Sequence, residues 1–162
     1  MPTPTPQSLL ALLDAPMAAA ARTPLADAAA ARAALENAYP SRGAAAQALR
    51  AEMLAAVKAG VICDRGKDAI KYSRLCKPDA TKHDVSVDFV WMTGPGINHR
   101  HPKGEANLCF AVEGDPRFDG QPEGWVVFPP GSQHVPTVTG GRMLIAYFLP
   151  GGAVEWISEG KA

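Results

Sequence analysis

Three of the four histidines in this chain fall into two short segments. The first is His99-Arg100-His101-Pro102-Lys103-Gly104-Glu105, and the second is Pro129-Pro130-Gly131-Ser132-Gln133-His134. On a strand, residues two apart point to the same face, so His99 and His101 can share one target. Glu105 follows across Pro102-Lys103-Gly104, a turn or bulge able to bring its carboxylate back to that space. His134 arrives on a separate strand after the Pro-Pro-Gly turn. Three imidazoles and a carboxylate suit one divalent ion (Fe, Mn, Zn, Ni or Co), and the donor set alone does not choose among them. Three histidines plus one carboxylate leave an octahedral ion one or two open positions, which Lewis-acid catalysis or water activation requires. A lone inward histidine is usually a satisfied core residue; three of four, with a carboxylate, are hard to bury together without a cation.

The neighbours of these residues are weighed in the same way. With regular alternation beyond Glu105, Asn107 and Cys109 share its face and make a small, mildly polar wall. Cys109 is expected to be buried and inert. His83, between Lys82 and Asp84 at a strand start, is expected at the surface.

The elements that position the site divide into two kinds. Before about Gly60 the chain is rich in alanine and leucine; after it come Val, Ile, Phe, Trp, Gly and Pro. Ser8 to Asp14 reads as a short helix. Thr23-Pro24 reads as the N-cap and first position of a second, with Asp27 in its first turn, ending near Asn37 before Tyr39-Pro40. Ser41 is placed to cap a third helix, with Leu49, Met53 and Val57 on one face and Gly60 just past its end. From Ala69 onward strands dominate: Ile70 to Leu75, the alternation from Val85 to Met92, Asn107 to Val112, Trp125 to Phe128 and Met143 to Leu149. The Gly- and Pro-rich stretches at Thr93–Gly96, Glu113–Pro116, Asp119-Gly120, Gly140-Gly141 and Pro150–Gly152 read as turns. Many short strands at this spacing argue a sandwich or barrel. The expected division is a helical N-terminal segment over residues 1–66 and a β-barrel over 67–162, an α+β chain that is mainly β.

Composition narrows the partners. With 162 residues the chain can bury a core without disulfides. Its 16 basic and 16 acidic side chains balance, so neither nucleic acid nor an anionic membrane is an expected partner. The three cysteines form no Cys-x-x-Cys pair, which argues against a disulfide framework or zinc knuckle. The opening Met1-Pro2-Thr3-Pro4-Thr5-Pro6 has no signal-peptide pattern, and no apolar run reaches spanning length. A cytoplasmic location is expected.

At the histidine segments the chain resembles the cupin superfamily. The first motif is Gly94-Pro95-Gly96-Ile97-Asn98-His99-Arg100-His101, then Glu105 and Gly114; the second is Gly124, Pro129-Pro130-Gly131 and His134. Two departures stand out: the longer gap from Glu105 to Gly114, and Val138 where an asparagine is common. The match covers roughly residues 85 to 150 and implies a jelly-roll β-barrel with the metal inside. A narrower resemblance rests on Gly60–Arg65, Gly94–Gly96, His99–Pro102, Glu105–Phe110, Gly114–Gly120 and His134–Val138. These look like a small bacterial family with a helical segment ahead of the barrel, a family that includes 4-hydroxylaminobenzoate lyase.

That resemblance implies a metal-dependent lyase forming protocatechuate and ammonia, with a small aromatic carboxylate as substrate. His99, His101, Glu105 and His134 would hold the metal, with Glu105 and His134 catalytic; Glu105 can also stand off the metal as a proton shuttle. A benzoate calls for a cation, and Arg142, Arg117 and Lys103 are the candidates, with Arg100 weakest because alternation turns it outward. Trp91 and Asn107 complete the expected substrate contacts, and Phe110, Trp125 and Tyr147 are further aromatic candidates that fit equally well in the core. The competing readings are an Fe(II) cupin dioxygenase and a non-catalytic small-molecule-binding barrel. The helical segment reads as either a dimerisation element or a cover over one barrel face, and a homodimer or higher homo-oligomer is expected.

Overall fold

The computed structural model describes residues 2–157. Three helices precede the strands. Helix α1 (Pro6–Arg22) begins at a reciprocal cap, in which the Ser8 amide donates to the Thr5 hydroxyl at 3.0 Å and the Thr5 amide donates to Ser8 Oγ at 2.9 Å. It runs well past the expected end at Asp14, straight through Pro16. An internal proline forfeits a backbone hydrogen bond, but here Leu9, Leu13, Pro16, Met17 and Ala20 form one buried stripe whose packing outweighs that loss.

This extension corrects the reading of Thr23-Pro24. Thr23 closes α1, its hydroxyl donating back to the Ala19 carbonyl at 2.7 Å, and Asp27 is the true N-cap of α2 (Ala28–Ala38), accepting from the Ala30 amide at 3.1 Å. Helix α3 (Ala44–Lys58) starts at Gly43 without a side-chain cap. Ser41 instead donates its amide to Glu36 at 3.2 Å. Leu49 and Met53 are fully buried as the spacing requires, and Gly60 follows the helix in the left-handed region, φ +76°.

The strands are β1 (Arg65–Lys67), β2 (Ile70–Cys76), β3 (Val85–Pro95), β4 (His99–His101), β5 (Glu105–Phe118), β6 (Gly124–Phe128), β7 (Ser132–His134), β8 (Thr137–Pro150) and β9 (Glu155–Trp156). They form a six-stranded sheet in the order β1-β2-β3-β8-β5-β6 and a three-stranded sheet in the order β7-β4-β9, with every pairing antiparallel. The architecture is mainly β behind N-terminal helices, as expected.

The large sheet is buried on both faces. One face carries Val85, Val87, Phe89, Leu108, Phe110, Trp125, Leu144, Ala146 and Phe148, in one cluster with Leu9, Leu13, Leu35, Leu49 and Met53 of the helices. The other carries Val90, Met92, Cys109, Phe118, Val126, Met143, Ile145 and Tyr147. Two buried faces explain why Met143 to Leu149 reads as a continuous apolar run. The helices therefore cover one side of the sheet. Trp125 latches them down: its indole N–H donates to the Tyr39 carbonyl at 2.8 Å, and its amide donates to Glu36 at 3.3 Å.

Three expected turns are bends inside strands. Thr93-Gly94-Pro95 closes β3, Glu113–Pro116 lies within β5 and Gly140-Gly141 within β8, and the pairing register shifts at them. The backbones come so close there that a Cβ on Gly141 would sit 1.9 Å from the Glu113 carbonyl oxygen. Glycine lets the two longest strands bend together without parting.

Candidate metal centre

Strand β4 presents its residues as alternation requires. His99 and His101 are buried, 4% and 0% exposed, while Arg100 between them points to solvent and donates to Gln133 at 3.3 Å. Strand β7 pairs with β4 so that His134 lies directly across from His99. The chain then leaves β4 through Pro102-Lys103-Gly104. Gly104 has φ +83°, and a Cβ there would press on the Phe128 carbonyl oxygen at 3.0 Å, so this tight turn needs glycine. The turn delivers Glu105, 2% exposed, as the first residue of β5 in the other sheet. Two sheets thus supply the four donors, and one ligand atom from each of His99, His101, Glu105 and His134 lies within 4.8 Å of every other.

Hydrogen bonds set which nitrogens face inward. A carbonyl only accepts, so His99 Nδ1–H donates to the Ile97 oxygen at 2.8 Å and leaves Nε2 with a free lone pair. His134 Nδ1 is bonded to Asp119 Oδ2 at 2.5 Å, which likewise frees its Nε2. Both nitrogens of His101 face other donors: Nε2 is 3.0 Å from His134 Nε2, and Nδ1 is 3.3 Å from Glu105 Oε2. Two nitrogens bound at about 2.1 Å and at right angles on one ion sit roughly 3.0 Å apart, so this spacing suits neighbouring ligands.

The electrostatics favour a cation. Burial pushes the Glu105 carboxyl up to about 8. Burial, and then the neighbouring His99, drives His101 down to about 3, while burial also lowers His99. These two imidazoles are thereby held neutral, as metal ligation demands. Glu105 Oε1 and His101 Nδ1 are buried without a hydrogen-bond partner. Buried lone pairs turned toward one another are costly unless something electropositive sits among them. The donor set fits a divalent ion.

Around the donors, Asn107 is fully buried on the Glu105 face, its amide donating to the Val126 carbonyl at 3.3 Å and its Oδ1 without a partner. Cys109 and Tyr147 belong to the same inner cluster; burial raises both well above their ordinary values, which makes the thiol inert. Phe128 packs its ring 4.1 Å from that of His134, and Trp156, 67% exposed, lies 5.3 Å from the His99 ring.

The expected substrate contacts do not all gather here. Trp91 packs with the helix-covered cluster on the opposite face, under the Arg142 guanidinium at 5.5 Å. Arg142 is further committed to the Asp68 carbonyl at 2.9 Å and to Glu113 at 3.8 Å. Arg117 is exposed on β5 and alternates with the inward Phe118, so it points away. Strand parity is the physical reason in each case. Lys103 sits on the ligand-bearing turn and extends over Gly151. Phe110 and Trp125 are helix-side core. His83 is at the surface, bonded to Asp14 at 3.0 Å.

Sequence reasoning missed Asp119, Phe128 and Trp156 as neighbours of the site. In the sequence Asp119 is half of an Asp-Gly turn and part of the Gly114–Gly120 resemblance; nothing in its spacing from His134 announces a contact made through the fold.

A family model described as PnbB, 4-hydroxylaminobenzoate lyase, matches residues 17–156. The chain belongs to the 4-hydroxylaminobenzoate lyase family. Within that family, a lyase of the same name from Pseudomonas putida is 32% identical over 52% of this chain and 57% of its own length. One from Nocardioides sp. (strain LMS-CY) is 29% identical over 52% of this chain and 54% of its own length. The chain therefore matches little more than half the length of these family members. Among solved structures, an RmlC-like cupin protein from Ralstonia eutropha aligns with a TM-score of 0.43 and 10% identity, over 59% of this chain and 64% of that one. Among the described residues, no helix is long and apolar enough to cross a membrane.

Proposed function

We propose that the chain is a metal-dependent lyase that converts 4-hydroxylaminobenzoate, with water, to protocatechuate and ammonia. The observation that carries this reading is the buried cluster of His99, His101, Glu105 and His134 within a chain of that family. These four residues would hold a divalent ion of the Fe, Mn, Zn, Ni or Co group, which when bound would supply Lewis acidity toward the hydroxylamino oxygen and toward water.

The chain's own groups move the protons. The net change breaks the N–O and C–N bonds, reduces nitrogen to the ammonia level, puts an oxygen from water on the carbon that bore nitrogen, and oxidises the ring carbon beside it, which exchanges hydrogen for oxygen. A proton must reach the departing nitrogen, and one must leave the carbon that exchanges hydrogen for oxygen. Glu105 is placed to make both transfers, because it is enclosed among the other donors and its Oε1 is without a partner among the described residues. It does so either as a ligand with one free oxygen or from beside the metal. His134, with 13% of its side chain exposed, is the most accessible of the four donors, so it marks the side from which substrate approaches. Asn107 offers its unpaired carbonyl oxygen to a substrate or water hydrogen. A small aromatic carboxylate is the partner, and the working form is a homodimer or larger homo-oligomer.

The test is incubation of metal-replete protein with 4-hydroxylaminobenzoate under nitrogen, following ammonia and the catechol together. Equal release of both without oxygen supports the lyase. Turnover only with oxygen consumption points to a dioxygenase, and ligand binding without turnover to a non-catalytic barrel; either result overturns the proposal.

A further inference from the structure

The donors in the cluster are not all held in the same way. His99 is tied to the Ile97 carbonyl, and His101 and Glu105 are enclosed. His134 is the most exposed, on a three-residue strand that among the described residues pairs only with β4. Outside the cluster its side chain is anchored by Asp119, from the turn after β5.

Asp119 is itself fixed on two sides. Its backbone N–H donates to the Thr137 carbonyl at 2.8 Å, and its Oδ1 accepts from the Thr137 amide at 2.8 Å. Its Oδ2 is left for His134 Nδ1. The turn is closed by reciprocal bonds between Phe118 and Gln121, at 2.8 and 2.9 Å. Asp119 takes φ +47°, a left-handed conformation that Asp and Asn tolerate better than most residues. One carboxylate thus meets two donors with two acceptors and joins the start of β8 to the end of β7.

We propose that Asp119 is a positioning residue for the metal centre: by accepting from His134 Nδ1–H it holds the imidazole in the tautomer whose Nε2 lone pair faces the other donors. This rests on the reading that the cluster binds a divalent ion. An asparagine at this position keeps the backbone conformation and the size but has only one acceptor. If its oxygen serves Thr137, its NH2 faces His134 Nδ1 and drives the ring proton to Nε2, which removes the lone pair. If its oxygen serves His134, the NH2 opposes the Thr137 amide. Neither orientation satisfies both donors.

The experiment compares the natural chain with Asp119→Asn. Long-range 15N–1H NMR of the metal-free proteins at alkaline pH reads the His134 tautomer directly: Nδ1–H in the natural chain, with Nε2–H gaining population in the variant. Chelator competition with Co2+ reads affinity, expected to fall about 10- to 100-fold, as when the outer partner of a ligating histidine is lost. The visible Co2+ spectrum should change with it, while the metal-free melting temperature stays close to that of the natural chain. An Nε2–H tautomer in the natural chain overturns the proposal without any variant being needed. So does a variant with the same tautomer and affinity. If the natural chain fails to bind Co2+, Zn2+, Mn2+ or Fe2+, the metal reading falls, and the NMR arm still decides the tautomer.

Discussion

The two faces of the six-stranded sheet are built from the same strands and buried to the same degree, yet they are chemically opposite. The helix side is almost wholly apolar: leucines, phenylalanines and a tryptophan whose N–H finds a carbonyl at 2.8 Å, with the Tyr39 hydroxyl a buried polar atom left without a partner. The inner side mixes Val126 and Ile145 with Glu105 and Asn107, and it faces His99, His101 and His134 of the small sheet with several polar atoms unpaired. Burying apolar area stabilises, and burying unpaired polar atoms costs. One face therefore holds the fold, and the other retains groups that stability alone would not keep. Substitutions on the two faces should separate stability from binding.

The largest stability effect is expected on the helix side. Trp125→Ala removes a fully buried ring that packs against Tyr39 and Phe148, and it leaves the Tyr39 carbonyl without its donor. A loss of about 3–5 kcal/mol is expected from urea unfolding, with Co2+ affinity of the folded fraction unchanged. A parallel loss of affinity would show that the faces are coupled.

His101→Ala should do the reverse. The ring is fully buried, both nitrogens face other donors, and burial already holds it neutral. Metal affinity should fall by more than about 100-fold, beyond the loss caused by disturbing a ligand's outer partner. The metal-free melting temperature should move little. Calorimetric titration beside a thermal melt checks both halves.

Asn107→Leu sharpens the contrast. The substitution removes one unpaired buried oxygen and one 3.3 Å hydrogen bond, and it adds apolar surface inside an apolar cluster. These effects offset, so stability should change by no more than about 1 kcal/mol in either direction. Turnover should drop all the same if the oxygen contacts substrate or water. Retained kcat in this variant would remove Asn107 from the site.

The division between faces also decides what could be read in the chain. The four donors were legible because their spacing encodes strand parity: His99 and His101 two apart, and Glu105 after a Gly104 turn. Parity also sets Trp91 and Arg117 against a role at the site, but only once the inward face of each strand is known. Because both faces of β3 and β8 are buried, their apolar runs do not reveal it. The helix boundaries failed for a related reason. Local signals at Thr23-Pro24 and Pro16 were overridden by the stripe from Leu9 to Ala20, whose burial is a tertiary fact. Asp119 reaches His134 across the fold, and residue type alone carries no trace of that.

The smallest expected effect is a pH dependence on the helix side. Cys63 is 4% exposed, and burial, with Asp64 adding to it, pushes its thiol up from 9.0 to about 12. An acid whose pKa is raised on folding contributes its full stability below the unfolded value, and that contribution is lost as pH rises toward the folded value. The window therefore runs from about pH 9 to 12. At pH 10 the unfolded thiol is mostly ionised while the folded one is not, a loss of about 1.4 kcal/mol. Cys63→Ala should unfold in urea with a weaker alkaline decline than the natural chain, and the difference should vanish at pH 7. The natural thiol should also resist iodoacetamide at pH 8 until denaturant is added, because the reactive thiolate is scarce and enclosed. Prompt alkylation of the folded protein would mean that the cover over this face opens readily. The helix side would then be less secure than its packing implies.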